Sequence, residues 1–271
     1  MSAEFRRSLF SWPMLVSILL MAFCFLYGNS GLIFDMNYVR HPETNVFVYF
    51  ADSRYGSFMS RFAPLLCVLP VAANFADDYR SGMFPLMIQR EGLNRYLWHK
   101  ILSAWLTGTL SDTAAMLMAV AIQYGFAGPM HPGEWETMVQ NYAVDSRYFE
   151  GMWKPVFGEG HYIRLMVLIC FHDGLYGGIC AMIALAASAI YPNRYVALAS
   201  PFLVTLLDQV IRILIPMDWN WILYTGGLLF SVRADYIDLH DLLITPWVWS
   251  GICIALFVWR VRRRVRDGEF A

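Results

Sequence analysis

The chain has 271 residues, of which 58% are hydrophobic and 15% charged, and its net charge is −1. Soluble domains are nearer about 45–50% apolar and about 25% charged, so this composition excludes an ordinary soluble domain. The balanced charge offers no electrostatic basis for binding nucleic acid, and we expect no nucleic-acid partner.

The apolar residues are concentrated in six blocks. Each approaches the roughly 20 residues that a helix needs to cross a bilayer core of about 30 Å. The second block reaches that length only if Arg61 extends its charged head to the interface. We therefore predict an all-α, polytopic membrane protein whose residues 1–271 form a single transmembrane domain. The expected spans are residues 10–27, 59–76, 99–126, 163–190, 195–215 and 245–260.

The basic residues indicate the orientation. Six spans put both termini on the same side, and Lys and Arg concentrate in cytoplasmic loops. If both termini are cytosolic, twelve of the 20 Lys and Arg residues lie inside, whereas the outer loops are longer and acidic. We predict a multi-pass protein of a cell membrane, expected to be bacterial, with residues 77–98 in the cytosol. The twelve are Arg6, Arg7, Arg80, Arg90, Arg95, Lys100, Arg194, Arg260, Arg262, Arg263, Arg264 and Arg266.

The segment 77–98 contains signals for a short helix. Gly82 is expected to end the extension of the second span, and Pro85 suits the first turn of a new helix. Gly92 suits the C-terminal end of that helix, and Asn94 suits the N-cap of the third span. These positions predict a helix over Phe84–Glu91.

The apolar residues of this short helix lie on one side. Phe84, Met87 and Ile88 recur at spacings of three and four. A helix of two turns is barely stable alone, and the loop offers no core in which to bury the stripe. Two burial sites remain open: the membrane interface, and a groove on a cytosolic partner.

These residues carry a resemblance to a transporter family. The pattern begins with an acidic residue four positions before a glycine. A short helix follows, and then a basic, aromatic run that leads into the next span. This pattern resembles that of permeases of the type 2 ATP-binding-cassette (ABC) export class. The usual glutamates of that family are aspartates here. The span count, the cytosolic termini and a broken apolar piece before the last span extend the resemblance over most of the chain. The residues are Asp77, Asp78, Gly82, Arg90, Arg95, Tyr96 and Lys100.

The resemblance implies a coupling helix that docks into an ATPase. It implies two cytosolic ATPase subunits, a second permease copy or paralogue, and membrane lipids as partners. The sequence has no G-x-x-x-x-G-K-[ST] loop, so ATP and Mg are expected on the ATPase, and this chain is expected to bind no cofactor and to catalyse no reaction. The implied ATPase-coupling residues are Asp77, Asp78, Gly82, Phe84, Met87, Ile88 and Arg90.

Five ionisable residues fall inside expected spans, where each needs a partner or a water-filled path. Asp112 lies in the third span and is expected to meet an Arg or His of another helix. His172 and Asp173 lie in the fourth span, where packing and hydrogen bonding, substrate contact or proton handling, and catalysis are the alternatives. Asp208 and Arg212 lie four apart in the fifth span, where they neutralise each other or line a pathway.

Two other apolar features concern packing and topology. Gly174 and Gly178 form a small-residue seam that lets another helix approach closely. Residues 216–244 contain an apolar run, WNWILYTGGLLF, that is too short to span and is predicted to be a re-entrant half-helix on the outer side. The five cysteines lie within apolar blocks without ligand spacing, so we expect neither disulfides nor a metal site.

The resemblance therefore implies the permease subunit of an ATP-driven exporter. Its substrate is expected to be hydrophobic or amphipathic: a lipid, a peptide or a drug-like molecule. An alternative is a secondary transporter coupled to ions through Asp112, His172, Asp173 and Asp208. An intramembrane enzyme is disfavoured because the H-E-x-x-H and G-x-S-x-G motifs are absent.

Overall fold

The computed structural model describes residues 6, 8–27, 45–47, 49–50, 53, 59–72, 74–129, 162–214 and 239–268. Within these ranges the chain is helical and contains no strand, so the all-α prediction is confirmed. The helices are α1 (Trp12–Tyr27), α2 (Met59–Leu66), α3 (Asn74–Arg80), α4 (Met83–Glu91), α5 (Leu93–Ala127), α6 (Tyr162–Ile190), α7 (Arg194–Leu214) and α8 (Leu239–Asp267).

Two of the described helices are long and apolar enough to cross a membrane. They are α5 and the Ile169–Ile190 part of α6. Trp12–Tyr27 and Arg194–Leu207 are apolar but shorter. The described residues thus contain two candidate spans by length and composition, where the sequence predicted six. The half-helix predicted within 216–244 falls mainly on residues 215–238, which lie outside the described residues.

The second predicted span, 59–76, is not one continuous helix. It consists of α2, a series of turns over residues 67–72, and the beginning of α3. Pro70 explains the break, because a proline has no N–H to donate to the carbonyl four residues earlier. The amide of Val71 then bonds to the Val68 carbonyl at 3.0 Å, in a tighter turn than an α-helix makes.

Two serines satisfy the carbonyl groups at this break. The Leu66 carbonyl, which Pro70 deprives of its helical donor, accepts a 2.7 Å hydrogen bond from Ser17 of α1. The next carbonyl, that of Cys67, accepts a 3.3 Å bond from Ser111 of α5. Hydroxyl groups of neighbouring helices commonly replace backbone partners at such breaks in apolar surroundings. The interrupted element is therefore held between α1 and α5.

The central helix of the described bundle is α6, which is buried along most of residues 169–189 and packs against α5, α7 and α8. Its closest approach is to α5. A Cβ atom on Gly177 would lie 2.6 Å from the Gly108 carbonyl oxygen, and one on Gly108 would lie 2.5 Å from that of Gly177. The seam glycines Gly174 and Gly178 also face α5, as the sequence indicated. Small side chains therefore set this helix spacing.

The exterior of the bundle is apolar on several helices. On α5, Leu102, Leu106, Leu110 and Leu117 are exposed at helical spacing. The outer faces of other helices also present large apolar side chains to the surroundings. Examples are Leu15, Leu19 and Phe23 on α1, Leu203, Leu206 and Leu207 on α7, and Trp247, Ile252 and Leu256 on α8.

Candidate functional site

Two glycines delimit the short helix α4. Gly82 has φ +70° and ends α3, while Gly92 has φ +82° and donates its N–H to the Ile88 carbonyl at 2.9 Å. Both positions favour glycine because other residues rarely adopt positive φ. The observed helix Met83–Glu91 begins one residue before the predicted one. Asn94 is not the N-cap of α5, since Gly92 holds that position and makes no side-chain cap.

Phe84 points into the protein and is completely buried. Its ring centroid lies 5.7 Å from that of Phe75 in α3 and 5.2 Å from that of Tyr96 in α5, both in edge-to-face arrangements. Phe75 in turn contacts Phe257 of α8, at 5.4 Å and also edge-to-face. Phe84 therefore anchors α4 to the bundle through an aromatic cluster that spans three other helices.

This burial corrects the expectation that Phe84 belongs to a stripe facing a partner. The predicted apolar stripe is buried, but the core that covers it comes from the same chain. Met87 and Ile88 are partly buried against that core. The loop itself contains no such core; α3, α5 and α8 supply the apolar partners. The helix exposes its other side instead, where Met83 is 46% and Leu86 58% exposed.

The face that α4 presents outward consists of Met83, Leu86 and Arg90. Their spacings of three and four residues align them along one side of the helix. Arg90 is exposed and lies in the last turn, where its charge complements the helix dipole. We call these three residues the outer face of α4.

Asp78 holds a buried lysine. Its Oδ2 lies 2.5 Å from Lys100 Nζ and accepts a 3.1 Å hydrogen bond from the Tyr96 hydroxyl. Lys100 is 5% exposed and also donates to the Asn74 carbonyl at 3.5 Å. Asp78 therefore joins α3 to α5 by balancing a charge that would otherwise be buried alone. Its neighbour Asp77 is exposed and makes no such contact with the described residues.

A cleft of about 290 Å³ opens between α3, α4 and the beginning of α5. Its lining is both acidic and apolar: Asp77 and the Asp78–Lys100 pair supply the charges, and two methionines of α4 supply apolar surface. The lining residues are Asn74, Asp77, Asp78, Ser81, Met83, Met87 and Lys100.

The C-terminal part of α8 lies at the end of the bundle that also contains α3 and α4. The Arg264 guanidinium donates to the carbonyls of Ala189 and Ile190, at 3.0 and 2.9 Å, and lies 4.8 Å from the ring centroid of Tyr79. It thereby caps the C-terminus of α6, where carbonyl groups have no helical donor. Arg262 donates to Asn94 of α5 at 3.2 Å. We call this region, which includes α3 and α4, the charged end of the bundle.

In the sequence Arg264 is one of several basic residues beyond the last predicted span. A signal for its burial was present, because Phe257, Val261 and Arg264 follow at spacings of four and three. All three are buried, so the apolar face of α8 continues into the arginine.

Three of the intramembrane candidates are buried on α5 and α6. Asp112 and Asp173 are almost completely buried, and His172 is 6% exposed, with its Nδ1 3.6 Å from Asp173 Oδ1. Asp112 packs against Gly177. Among the described residues, neither the Asp112 oxygens nor the His172 ring nitrogens have a hydrogen-bond partner. The Arg or His expected opposite Asp112 is therefore not found in the described part.

Asp208 and Arg212 both lie on α7, but their side chains are outside the described residues. Their pairing stays a prediction. Among the described residues there is no group of three or more His, Cys, Asp or Glu side chains that could hold a metal ion.

Comparison of the chain with protein-family models, with curated proteins and with solved structures found no match. The described fold defines an all-helical protein with two candidate membrane-spanning helices. Its distinguishing local feature is the charged end, where a short helix is anchored by Phe84 and exposes an apolar outer face beside an acidic cleft.

Proposed function

We propose that the chain is the permease subunit of an ATP-driven ABC exporter, and that α4 is the helix through which cytosolic ATPase subunits act on it. The observation that carries this proposal is the two-sided character of α4. Its inner side is locked into the bundle by Phe84, while Met83 and Leu86 remain exposed on its outer face. An exposed apolar face on so short a helix supports a binding role.

The inner contacts supply a mechanical connection. A displacement of α4 reaches α3 and α5 through the rings of Phe75 and Tyr96, and α8 through the contact of Phe75 with Phe257. ATP-driven closure of the two ATPase subunits would push the outer face. The permease, paired with a second copy or paralogue, would then rock between inward-open and outward-open states, provided that the contacts differ between the states.

The apolar exterior supports a location in a membrane, which in this proposal is a bacterial cell membrane. Leucines along α5 and apolar side chains on α1, α7 and α8 would contact lipid. In this proposal six passages cross the bilayer, and the interrupted α2–α3 element makes the second. Such a break is tolerated in lipid when neighbouring side chains satisfy its carbonyls, as Ser17 and Ser111 do.

The charged end supports the proposed orientation with both termini in the cytosol. Arg262 and Arg264 of α8 contact the beginning of α5 and the end of α6, so this basic part of α8 lies at the same end as the segment that contains Arg90 and Arg95. Single cysteines at Ser81 and Asn193 should react with a membrane-impermeant reagent only from the cytosol, and cysteines at Glu136 and Asp238 only from outside. Labelling of Asp238→Cys from the cytosol would contradict the six-span topology.

Affinity purification tests the ATPase connection. The wild-type protein should retain a subunit that hydrolyses ATP, and Leu86→Glu should lose it because a carboxylate is costly in an apolar contact. Tyr195→Glu introduces the same charge at an exposed apolar position outside α4 and should retain the subunit. If wild type and Leu86→Glu bind the same amount, α4 is not the coupling helix.

A second candidate function is ion-coupled transport. It is favoured by the burial of Asp112 and His172 without hydrogen-bond partners in the described residues, since such groups in a membrane commonly serve ion or proton pathways. Proteoliposomes with an imposed proton gradient and a pH-sensitive dye would test it. Proton uptake without ATP that Asp112→Asn abolishes would favour this function over the ATP-driven one.

A further inference from the structure

The cleft beside α4 has a volume of about 290 Å³ and opens at the charged end. Pockets for small molecules generally measure about 300–1,000 Å³, so this one lies at the lower limit for a free ligand. A single long side chain from a docked protein is a better match. The cleft adjoins the outer face of α4 because Met83 contributes to both.

The charged residues of the cleft determine whether it favours a positively or a negatively charged occupant. Three charged residues line it: Asp77, Asp78 and Lys100. Asp78 and Lys100 neutralise each other at 2.5 Å, so the pair attracts neither sign strongly. The exposed Asp77 carboxylate then remains as the group that selects a positive charge.

The walls of the cleft distinguish between kinds of cation. Met83 and Met87 offer apolar, polarisable surface in the same cleft as Asp77. Arginine combines a long stem that covers apolar surface with a planar, weakly hydrated head that bonds carboxylates through two N–H groups. Lysine carries a compact, strongly hydrated charge that matches such walls less well.

We propose that this cleft binds an arginine side chain of the ATPase subunit, with its guanidinium on Asp77 and its stem between Met83 and Met87. The inference rests on the proposed function and adds a specific contact to it. The arginine would fix the position of the ATPase along α4. A bidentate hydrogen-bonded contact has a defined direction, whereas an apolar contact with the outer face does not.

The test measures binding of the co-purified ATPase subunit to the full-length permease and its variants. Asp77→Asn should weaken binding roughly tenfold and make it less sensitive to salt, because a charge-assisted hydrogen bond is lost. Asp77→Glu, which keeps the charge, should retain most of the affinity. Glu91→Gln is the matched control, since Glu91 is an exposed carboxylate at the end of the neighbouring helix α4 and contacts His99 outside the cleft.

The outcomes separate this inference from the proposed function. If wild type binds no ATPase, the proposed function itself fails. If Leu86→Glu abolishes binding while Asp77→Asn binds like wild type at all salt concentrations, coupling through α4 stands and the arginine site is overturned.

A photo-crosslinker at Ser81, which is exposed and lines the cleft, identifies the occupant directly. A crosslink to an arginine-containing peptide of the ATPase supports the proposal. A crosslink to the N-terminal segment around Arg6 of the same chain overturns it, because the cleft would then be occupied from within.

Discussion

Lys100 Nζ lies 2.5 Å from Asp78 Oδ2, and this ion pair joins α5 to α3 at a site where the lysine is 5% exposed. Burying either charge alone would be costly, because few other polar groups replace the lost water. The pair therefore holds the beginning of α5 beside the helix that precedes α4, and it supports the wall of the acidic cleft.

Removing one member of this pair should destabilise the protein strongly. We expect Asp78→Asn or Lys100→Met to lower the free energy of unfolding by about 3–5 kcal/mol, and the double variant to lose less than the sum. Asp267→Asn is the control, because the Arg263–Asp267 pair is about half exposed and should contribute under about 1 kcal/mol. Thermal unfolding in detergent measures all four. Strictly additive losses would mean that the pair does not act as a unit.

Phe84 should matter for stability where Leu86 does not. Phe84→Ala removes a completely buried ring from the aromatic cluster, and such truncations cost about 3–5 kcal/mol. Leu86→Ala, two positions along the same helix and 58% exposed, should change stability by less than about 0.5 kcal/mol. Protease susceptibility of the α3–α4 segment provides a local readout. Equal, small effects of the two changes would place Phe84 outside the core.

Ser17 should stabilise the break at Pro70. Ser17→Ala leaves the Leu66 carbonyl without its hydroxyl donor and should cost about 0.5–1.5 kcal/mol. The cost should shrink in a Pro70→Ala background, where residue 70 regains an N–H for that carbonyl. Ser188→Ala is the control, because its hydroxyl bonds within α6 to Leu185 and bridges no break. A cost that is unchanged by Pro70→Ala would contradict this account.

Gly177 should tolerate no side chain. Gly177→Ala would place a Cβ 2.6 Å from the Gly108 carbonyl oxygen and 2.8 Å from Asp112 Cβ, so α5 and α6 would have to separate. We expect a loss of about 1–3 kcal/mol or more, typical of overpacking. Gly251→Ala, in α8, meets nothing within 4 Å and should be neutral or stabilising by up to about 1 kcal/mol. Comparable unfolding temperatures for the two variants would argue against close packing at this seam.

The sequence by itself determined the features that depend on local backbone rules. Gly82 and Gly92 limit α4 because their positive φ angles are open to glycine and costly for other residues, whatever surrounds them. Apolar block length likewise predicted helices at α5 and α6. The facing of Gly174 toward another helix also followed from residue size alone.

Tertiary structure decided which side of each element is inside. The apolar stripe of α4 predicted that one side of the helix is buried, but not which residues cover it. Phe75 and Tyr96 cover Phe84 only after α3 and α5 have packed. The carbonyl that Pro70 leaves without a helical donor is satisfied by a serine 49 residues away, and the cap on α6 required an arginine 75 residues further along the chain. Contacts of such separation leave no periodic trace in a single sequence, because periodicity records only that a face is buried and never against what.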